Sequence, residues 1–178
     1  MKNYLKLSVL ALTMVLTVSC GKDPVEQPEQ KSGVFTGEIT VVGGNVDMTT
    51  NPPSVGDFVM EGLQVTATVQ EDGTYQLLFQ DVTFSNMMPT TINMIVPEVK
   101  ISEGKVYLNG DAQFVNPLMK TPLGTEVADN YKISALQGTM SYKDNHFDVL
   151  EVSFTVTRVT ERGDVSYPTS YHGVYVTE

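Results

Sequence analysis

The chain has 178 residues, of which 41% are hydrophobic and 8% aromatic, and this length suits one folded domain. Eleven lysine and arginine residues against 21 acidic residues give a net charge of −10. This charge argues against nucleic acid as a partner, because phosphate binding needs a basic surface. The single cysteine excludes an intrachain disulfide and any metal site built from several cysteines.

The first residues of the chain have the anatomy of a secretory signal peptide. Lys2 and Lys6 precede an uncharged apolar run over 7–18, which is too short to span a bilayer as a helix. Ser19 and Cys20 then resemble the end of a bacterial lipobox, in which the cysteine receives the lipid. An ordinary signal peptide that contains a cysteine is the alternative. Because Cys20 is the only cysteine and follows the apolar run directly, we expect it to be lipidated.

Three segments follow from this pattern: a signal peptide over 1–19, a lipidated Cys20 with a flexible acidic tether over 20–32, and a folded domain over 33–178. The tether is polar and contains two prolines, which favours an extended chain. Its acidic residues resemble the tags that send some Gram-negative lipoproteins to the outer face of the outer membrane. A plain solvated spacer is the alternative. We therefore expect a cell-envelope protein, held by lipid in the outer membrane and either periplasmic or exposed at the surface.

Alternation of apolar and polar residues predicts β-strands along the whole domain. The segment 58–70 shows the pattern well, with Leu63 and Val65 on one face and Gln64 and Thr66 on the other. No segment after Gly21 has helical periodicity. Strands are predicted at 34–42, 58–70, 75–84, 92–101, 106–114, 131–142, 147–158 and 171–177.

Breaks in the alternation predict turns, loops and bulges. A glycine pair at 43–44 is expected to end the first strand, and long loops are expected over 45–56 and 115–130. The apolar phase slips near Asp81, which a β-bulge would explain. Pro97 interrupts another strand and needs an edge position or a bulge.

These elements predict an all-β fold, a single antiparallel up-and-down β-barrel of about eight strands. The predicted strands are joined mostly by short links, as antiparallel neighbours are. Closing the sheet into a barrel is the simplest way to hide the edges of so many strands.

Several short motifs occur in a characteristic order. They are Phe35-Thr36-Gly37, Asp72-Gly73-Thr74-Tyr75, Asp81-Val82-Thr83-Phe84, Met88-Pro89, Leu136-Gln137-Gly138-Thr139-Met140 and Lys143-Asp144-Asn145. Together with the lipobox, they resemble the calycin-like (lipocalin-like) β-barrel domain of outer-membrane lipoproteins from Gram-negative bacteria, over about Gly33 to Glu178. The resemblance implies an up-and-down barrel with a small interior and no established activity. The chain lacks tryptophan, so the ligands of lipocalins and biotin-binding barrels do not carry over.

An eight-stranded barrel is either filled by its own side chains or holds one small ligand. If it holds a ligand, we expect the inward strand faces and two methionine-bearing loops at the mouth to line the site. The candidate ligand-binding residues are Leu63, Val65, Leu77, Phe79, Met88, Leu108, Phe114, Met119, Met140 and Phe154. The alternative is that these loops fold back and plug the core.

No catalytic constellation is predicted, and we expect no enzyme, cofactor or metal site. Cys20 is committed to lipid, and no Gly-x-Ser-x-Gly elbow occurs. His146 is expected in a solvated turn and His172 on the surface of the last strand, too isolated to suggest a metal site. Glu151 and other acids at alternating positions are typical of a solvated strand face.

Two functions agree with these observations. The first is a lipid-anchored module that binds a small apolar or amphipathic molecule inside a calycin-like barrel. The second is a surface interaction or scaffold subunit with a packed barrel, whose acidic wall and long loops meet a protein or a glycan. The presence or absence of an interior cavity discriminates between them.

Overall fold

The structure, a computed structural model, describes residues 32–88, 91–108, 112–114, 118–121, 124–127, 131–143, 146–159, 161 and 163–176. The predicted signal peptide, Cys20 and the tether up to residue 31 lie outside these residues. The strands are β1 (Gly33–Asp47), β2 (Ser54–Val69), β3 (Tyr75–Val82), β4 (Ile92–Ser102), β5 (Lys105–Leu108), β6 (Ala112–Phe114), β7 (Leu118–Thr121), β8 (Gly124–Val127), β9 (Tyr131–Lys143), β10 (His146–Arg158) and β11 (Val165–Tyr175). Within the described ranges, no helix is long and apolar enough to cross a bilayer.

Eight of the strands close into a ring of antiparallel pairs. The order around the ring is β3, β2, β1, β11, β10, β9, β5 and β4, and the pairing of β3 with β4 joins its two ends. Most neighbouring strands of the ring are also consecutive in the sequence. There are two exceptions: β5 and β9 are separated in the sequence by β6 to β8, and β1 pairs with the last strand, β11. The predicted up-and-down barrel is therefore confirmed.

Two short strands, β7 and β8, correct the predicted loop over 115–130, and the predicted strand over 106–114 is represented by β5 and β6. β6 pairs with β9, and β7 and β8 form a hairpin whose first strand pairs with the start of β4. The residues 118–121 and 124–127 are thus strands and not loop. Each has only four residues, too few to display alternation, so the prolines and the glycine around them dominated the sequence pattern.

The predicted loop over 45–56 is also too long. β1 continues to Asp47 and β2 begins at Ser54, so the connection spans only 48–53. Gly43 has a φ of 73° beside a shift in the register between β1 and β2. The strand therefore continues past the glycine pair through an irregularity, because glycine accepts this backbone conformation without strain.

The irregularities predicted in β3 and β4 are present. The register between these strands shifts between Phe79 and Val82, where Asp81 has a φ of 52°. It shifts again beside Pro97, where Glu98 also has a φ of 52°. Both are β-bulges, which confirms the interpretation of the phase slip and of the interrupting proline.

The last strand begins at Val165, six residues before the predicted Tyr171. Pro168 lies within it and pairs with β10, whereas β1 pairs with this strand only from Thr169 onward. On the β1 side Pro168 therefore occupies an edge position, where its missing N–H leaves no ladder bond unmade.

The two ends of the barrel differ. At the N-terminal end, where β1 begins and β11 finishes, the strands are joined through the short segments 70–74, 103–104 and 144–145. At the opposite end, here called the far end, the connecting segments are 48–53, 83–91, 109–130 and 159–164. All the long connections thus lie at the end remote from the start of the domain.

The interior is filled by side chains from all eight strands of the ring. The buried hydrophobic residues of these strands are Phe35, Ile39, Val41, Leu63, Val65, Ala67, Tyr75, Leu77, Phe79, Val82, Ile92, Met94, Val96, Val99, Val106, Tyr131, Ile133, Leu136, Met140, Phe147, Leu150, Val152, Phe154, Val156 and Tyr171. They form one contiguous cluster with Phe84. The alternation in the sequence therefore assigned the inward faces correctly wherever these side chains are described.

Candidate functional site

Six of the candidate ligand-binding residues lie together inside the barrel. Leu63, Val65, Leu77, Phe79, Met140 and Phe154 are all buried in the central cluster. The ring centroid of Phe79 lies 5.5 Å from that of Phe154 and 5.8 Å from that of Tyr171, both edge-on. These residues therefore contact one another, as expected of an interior filled by its own side chains.

The far end is covered by the connection between β3 and β4. Phe84 is only 1% exposed, and its backbone N–H donates a hydrogen bond to the sulfur of Met88 at 3.2 Å. Met88 is half-buried and packs against the core, whereas Met87 remains exposed. This arrangement agrees with the predicted alternative in which the methionine loop folds back over the interior.

The remaining candidates lie outside the described side chains. Leu108, Phe114 and Met119 belong to β5, β6 and β7, and only the backbone of these three residues is described. The register places Met119 opposite Ile92, so β7 starts beside the connection that carries Met88. The predicted neighbourhood of the two methionine segments therefore agrees with the backbone, while ligand binding by these residues stays a prediction.

Aromatic residues fill the N-terminal end. The rings of Phe35 and Phe147 lie 5.6 Å apart, and both approach Tyr175 at 5.9 Å. The ring of Tyr142 lies 5.2 Å from that of Phe147, and its hydroxyl donates a hydrogen bond to the sulfur of Met140 at 3.8 Å. The N-terminal end of the barrel is thus closed by packed rings.

Burial of this cluster has a consequence for alkaline stability. Burial raises the pKa of Tyr75 from 10.0 to about 12, and the nearby Tyr142 adds to this shift. Burial also raises the pKa of Tyr131, Tyr142 and Tyr171. Unfolded tyrosines release their protons near 10.0, whereas folded Tyr75 keeps its proton until about 12. The stabilisation is therefore complete below pH 10 and is lost as the pH rises towards 12.

We accordingly expect the free energy of unfolding to fall steadily between pH 10 and about 12. Urea denaturation across this range, with tyrosinate absorbance recorded in parallel, measures the effect. The variant Tyr75→Phe removes one of the buried hydroxyls, so its stability should depend less steeply on pH than that of the parent. A flat profile for the parent protein would contradict the burial of these hydroxyls.

An open depression of about 740 Å³ lies on the outside of the barrel. Its lining comes from five neighbouring strands of the ring, β1, β11, β10, β9 and β5. We call it the wall groove. Its lining residues are Glu38, Thr40, Lys105, Val106, Tyr107, Gln137, Gly138, Thr139, Glu151, Val152, Ser153, Ser170, Tyr171 and His172.

The strand register arranges the outward side chains of the wall groove in two rows. The charged row runs through Glu38, His172, Glu151, Thr139 and Lys105, which are paired in that order across the five strands. The hydroxyl row lies beside it and runs, on the same strands, through Thr40, Ser170, Ser153, Gln137 and Tyr107. Both rows therefore cross the strands and follow the circumference of the barrel.

His172 lies between the two glutamates of the charged row. Its Nδ1 lies 2.9 Å from Oε1 of Glu151, and on its other side Glu38 is its register partner. Both His172 and Glu151 have 59% of their side chains exposed, so this contact contributes little to stability. The hydroxyl of Thr40 donates to Oε1 of Glu38 at 3.5 Å and links the two rows. These polar groups are therefore available to a molecule in the groove.

Glycines behind the charged row shape the wall groove. Gly37 pairs with Gly173 across β1 and β11, and Gly138 pairs with Val152 across β9 and β10. By strand alternation these glycines face the interior. A Cβ atom at Gly37 would overlap the backbone of His172, and one at Gly138 would overlap the backbone of Glu151. Only glycine fits at these two positions, because the backbone of the adjacent strand occupies the space that a side chain would need.

Tyr171 fills the space that the glycines leave on the inner side. A Cβ atom at Gly173 would overlap its hydroxyl group, which donates a hydrogen bond to the carbonyl of Leu63 at 3.3 Å. The side chain is 2% exposed, and burial raises the pKa of its hydroxyl. Tyr171 therefore supports the floor of the wall groove from within the core.

Individual residues of the wall groove were predicted from the sequence, but their arrangement was not. His172 was predicted on the last strand and Glu151 on a solvated strand face, and both predictions are confirmed. His146, expected in a turn, is instead the exposed first residue of β10. Glu38 was not singled out. A row of polar residues across five strands becomes visible only with the register, because its members are far apart in the sequence.

Among the described side chains, no three histidine, cysteine, aspartate or glutamate residues converge as a metal site requires. The wall groove is thus an open depression that carries one exposed imidazole and two exposed carboxylates on its surface. Comparison of the chain with protein-family models, with curated proteins and with solved structures found no match.

Proposed function

We propose that this protein is a lipid-anchored binding protein of the cell envelope that holds its partner on the outer wall of the barrel. One contrast carries the proposal: the described interior side chains form a continuous buried core, whereas the wall groove is open and carries exposed polar side chains among its lining. A small barrel filled by its own side chains has no volume for a ligand. The proposal therefore takes up the second function that the sequence left open.

The proposed lipid anchor at Cys20 is inferred from the sequence. Twelve residues, 21–32, separate Cys20 from the start of β1, and fully extended they reach up to about 40 Å. Acylation with more than one chain holds a protein stably on a bilayer. Because the tether joins the N-terminal end of the barrel, the far end and the wall groove are free to meet a partner.

Replacement of the lipid-bearing cysteine provides the first test. In the native host, Cys20→Ala should move the protein from the membrane fraction to the soluble fraction, since the leader would no longer direct acylation. Fractionation and labelling with an alkyne fatty acid measure this, and Ser19→Ala serves as the matched control because a small residue is kept before the cut. Lipid labelling that persists in Cys20→Ala would contradict the anchor.

The docking surface can be mapped with a photoreactive amino acid in living cells. Introduced at Thr139, in the middle of the charged row, it should form adducts with the partner. Thr68 is the matched control, because it is an exposed threonine on β2, outside the wall groove. Adducts should be several times more abundant from position 139. Equal labelling at the two positions would contradict docking at the wall groove.

Binding of a small apolar or amphipathic molecule is the second candidate function. The half-buried Met88 and the start of β7 beside it favour this candidate, because methionine suits adaptable apolar surfaces. Native mass spectrometry of the protein isolated from its own host separates the two functions. A retained molecule would appear as added mass and would favour the second candidate, whereas the bare protein mass agrees with a filled interior.

A further inference from the structure

We propose that the wall groove binds an uncharged oligosaccharide that lies across the strands, along the charged and hydroxyl rows. This inference rests on the proposed function and deepens it by naming the class of partner. Three observations carry it: the direction and length of the groove, the closure of the sheet around it, and the chemistry of its two rows.

The groove extends in the direction of the rows. It crosses five neighbouring strands, and four strand spacings of ~4.8 Å give a length of ~19 Å. A compact metabolite would contact only part of such a surface. An extended chain, by contrast, would touch every strand in turn.

Closure of the sheet favours a sugar chain over a peptide. Extended peptides usually bind β-sheets by adding a strand at a free edge, where unpaired backbone groups accept them. The five strands of the groove are each paired on both sides within the ring, so the backbone offers no such edge there. A ligand that crosses these strands must bind through side chains. A peptide would leave many of its own backbone groups without partners in this orientation.

The side chains of the two rows match the groups of a sugar chain. Glu38 and Glu151 can accept hydrogen bonds from hydroxyl groups, and such charge-assisted bonds are among the stronger ones. Gln137 and the hydroxyl groups of the second row donate as well as accept. Tyr107 is 40% exposed at one end of the groove, where its ring can cover the apolar face of a sugar. Every row member thus offers a contact that a polyhydroxylated ligand can use.

The charges of the groove disfavour an acidic ligand. Glu38 and Glu151 would repel an acidic sugar, and the net charge of −10 over the whole chain adds to this repulsion. Lys105 closes the charged row at its other end and would repel a cationic group placed there. An uncharged chain of sugars is repelled neither by the glutamates nor by Lys105.

The test is an NMR titration of the full-length lipidated protein in detergent micelles. The probes are linear neutral hexasaccharides of glucose, xylose and mannose, with a galacturonic acid hexamer as the acidic comparison. We expect at least one neutral probe to shift the backbone amide signals of residues 38–40, 137–139, 151–153 and 170–172. The acidic hexamer should bind more weakly than this neutral probe. No shift with any neutral hexamer, or tighter binding of the acidic hexamer, would overturn the proposal.

Matched variants separate the wall groove from the rest of the surface. Glu151→Gln and Tyr107→Ala should each weaken binding about tenfold, since each removes one strong contact. Glu71→Gln is the control: Glu71 lines a second, smaller depression of about 440 Å³ near the turn 70–74, and its loss should leave affinity unchanged. Equal weakening by Glu71→Gln and Glu151→Gln would place the sugar elsewhere and overturn the proposal.

The two proposals fail in different ways. If photo-crosslinking at Thr139 captures a protein while no neutral hexamer shifts the amides, docking at the wall groove stands and the oligosaccharide is wrong. If Thr139 and Thr68 give equal adducts and no sugar binds, both are wrong.

Discussion

Replacement of Phe79 by alanine should lower the free energy of unfolding by ~3–5 kcal/mol. The side chain is fully buried on β3, and its ring contacts those of Phe154 and Tyr171. Its removal leaves a cavity at the centre of the barrel. Because the surrounding strands are hydrogen-bonded into a closed ring, they can relax only in part to fill it. Urea denaturation followed by circular dichroism measures the loss.

The neighbouring Leu78 provides a matched control. It lies on the same strand but faces outward and is half-buried, so Leu78→Ala should cost no more than ~1 kcal/mol. A similarly small effect of Phe79→Ala would mean that the interior is loosely filled. That result would remove the main support for binding on the outer wall and would favour a ligand inside the barrel.

Gly138→Ala should destabilise the protein by ~2–4 kcal/mol, although it adds a single methyl group. The new Cβ atom would overlap the backbone of Glu151 and Val152 on the adjacent strand. A backbone clash cannot be relieved by rotating a side chain, so β9 and β10 must move apart. We expect a lower melting temperature, and, because Gly138 lines the wall groove, weaker binding of the proposed ligand there.

Gly56→Ala is the control for the loss of a glycine as such. A Cβ atom at Gly56 would meet no other atom within 4 Å, and its φ lies outside the left-handed region. This change should leave stability within ~0.5 kcal/mol of the parent, or raise it slightly because alanine has less freedom in the unfolded chain. If Gly138→Ala is tolerated equally well, the strands do not approach as closely as described.

The inward faces of the barrel were predictable because a strand alternates with a period of two. Leu63 and Val65 on β2 and Leu150 and Phe154 on β10 follow this period without interruption, and all four are buried. The bulge at Asp81 was predictable for the same reason, since one extra residue in a strand shifts the apolar phase by one position. The count of strands together with the need to hide sheet edges then indicated a closed ring.

The wall groove was not predictable, because it depends on the register between strands that are distant in the sequence. Glu38 and His172 are paired neighbours in the structure, but more than 130 positions separate them in the chain. Each residue alone resembles an ordinary solvated position on a strand. The close approach at Gly37 has the same origin, since its partner Gly173 is identified only when the first and last strands are aligned.

The pairing of the first and last strands determines how the domain can be attached. The backbone N–H of Val176 donates to the carbonyl of Val34 at 2.9 Å, so both ends of the described domain leave from the same rim. Joining them and opening the chain within 48–53 would preserve every strand pair of the ring. The proposed tether would then leave the barrel at the far end and reverse the orientation of the barrel relative to its attachment point. For the proposed anchor at Cys20, the rim that faces the bilayer is thus set by the position of the chain termini and not by the folded barrel.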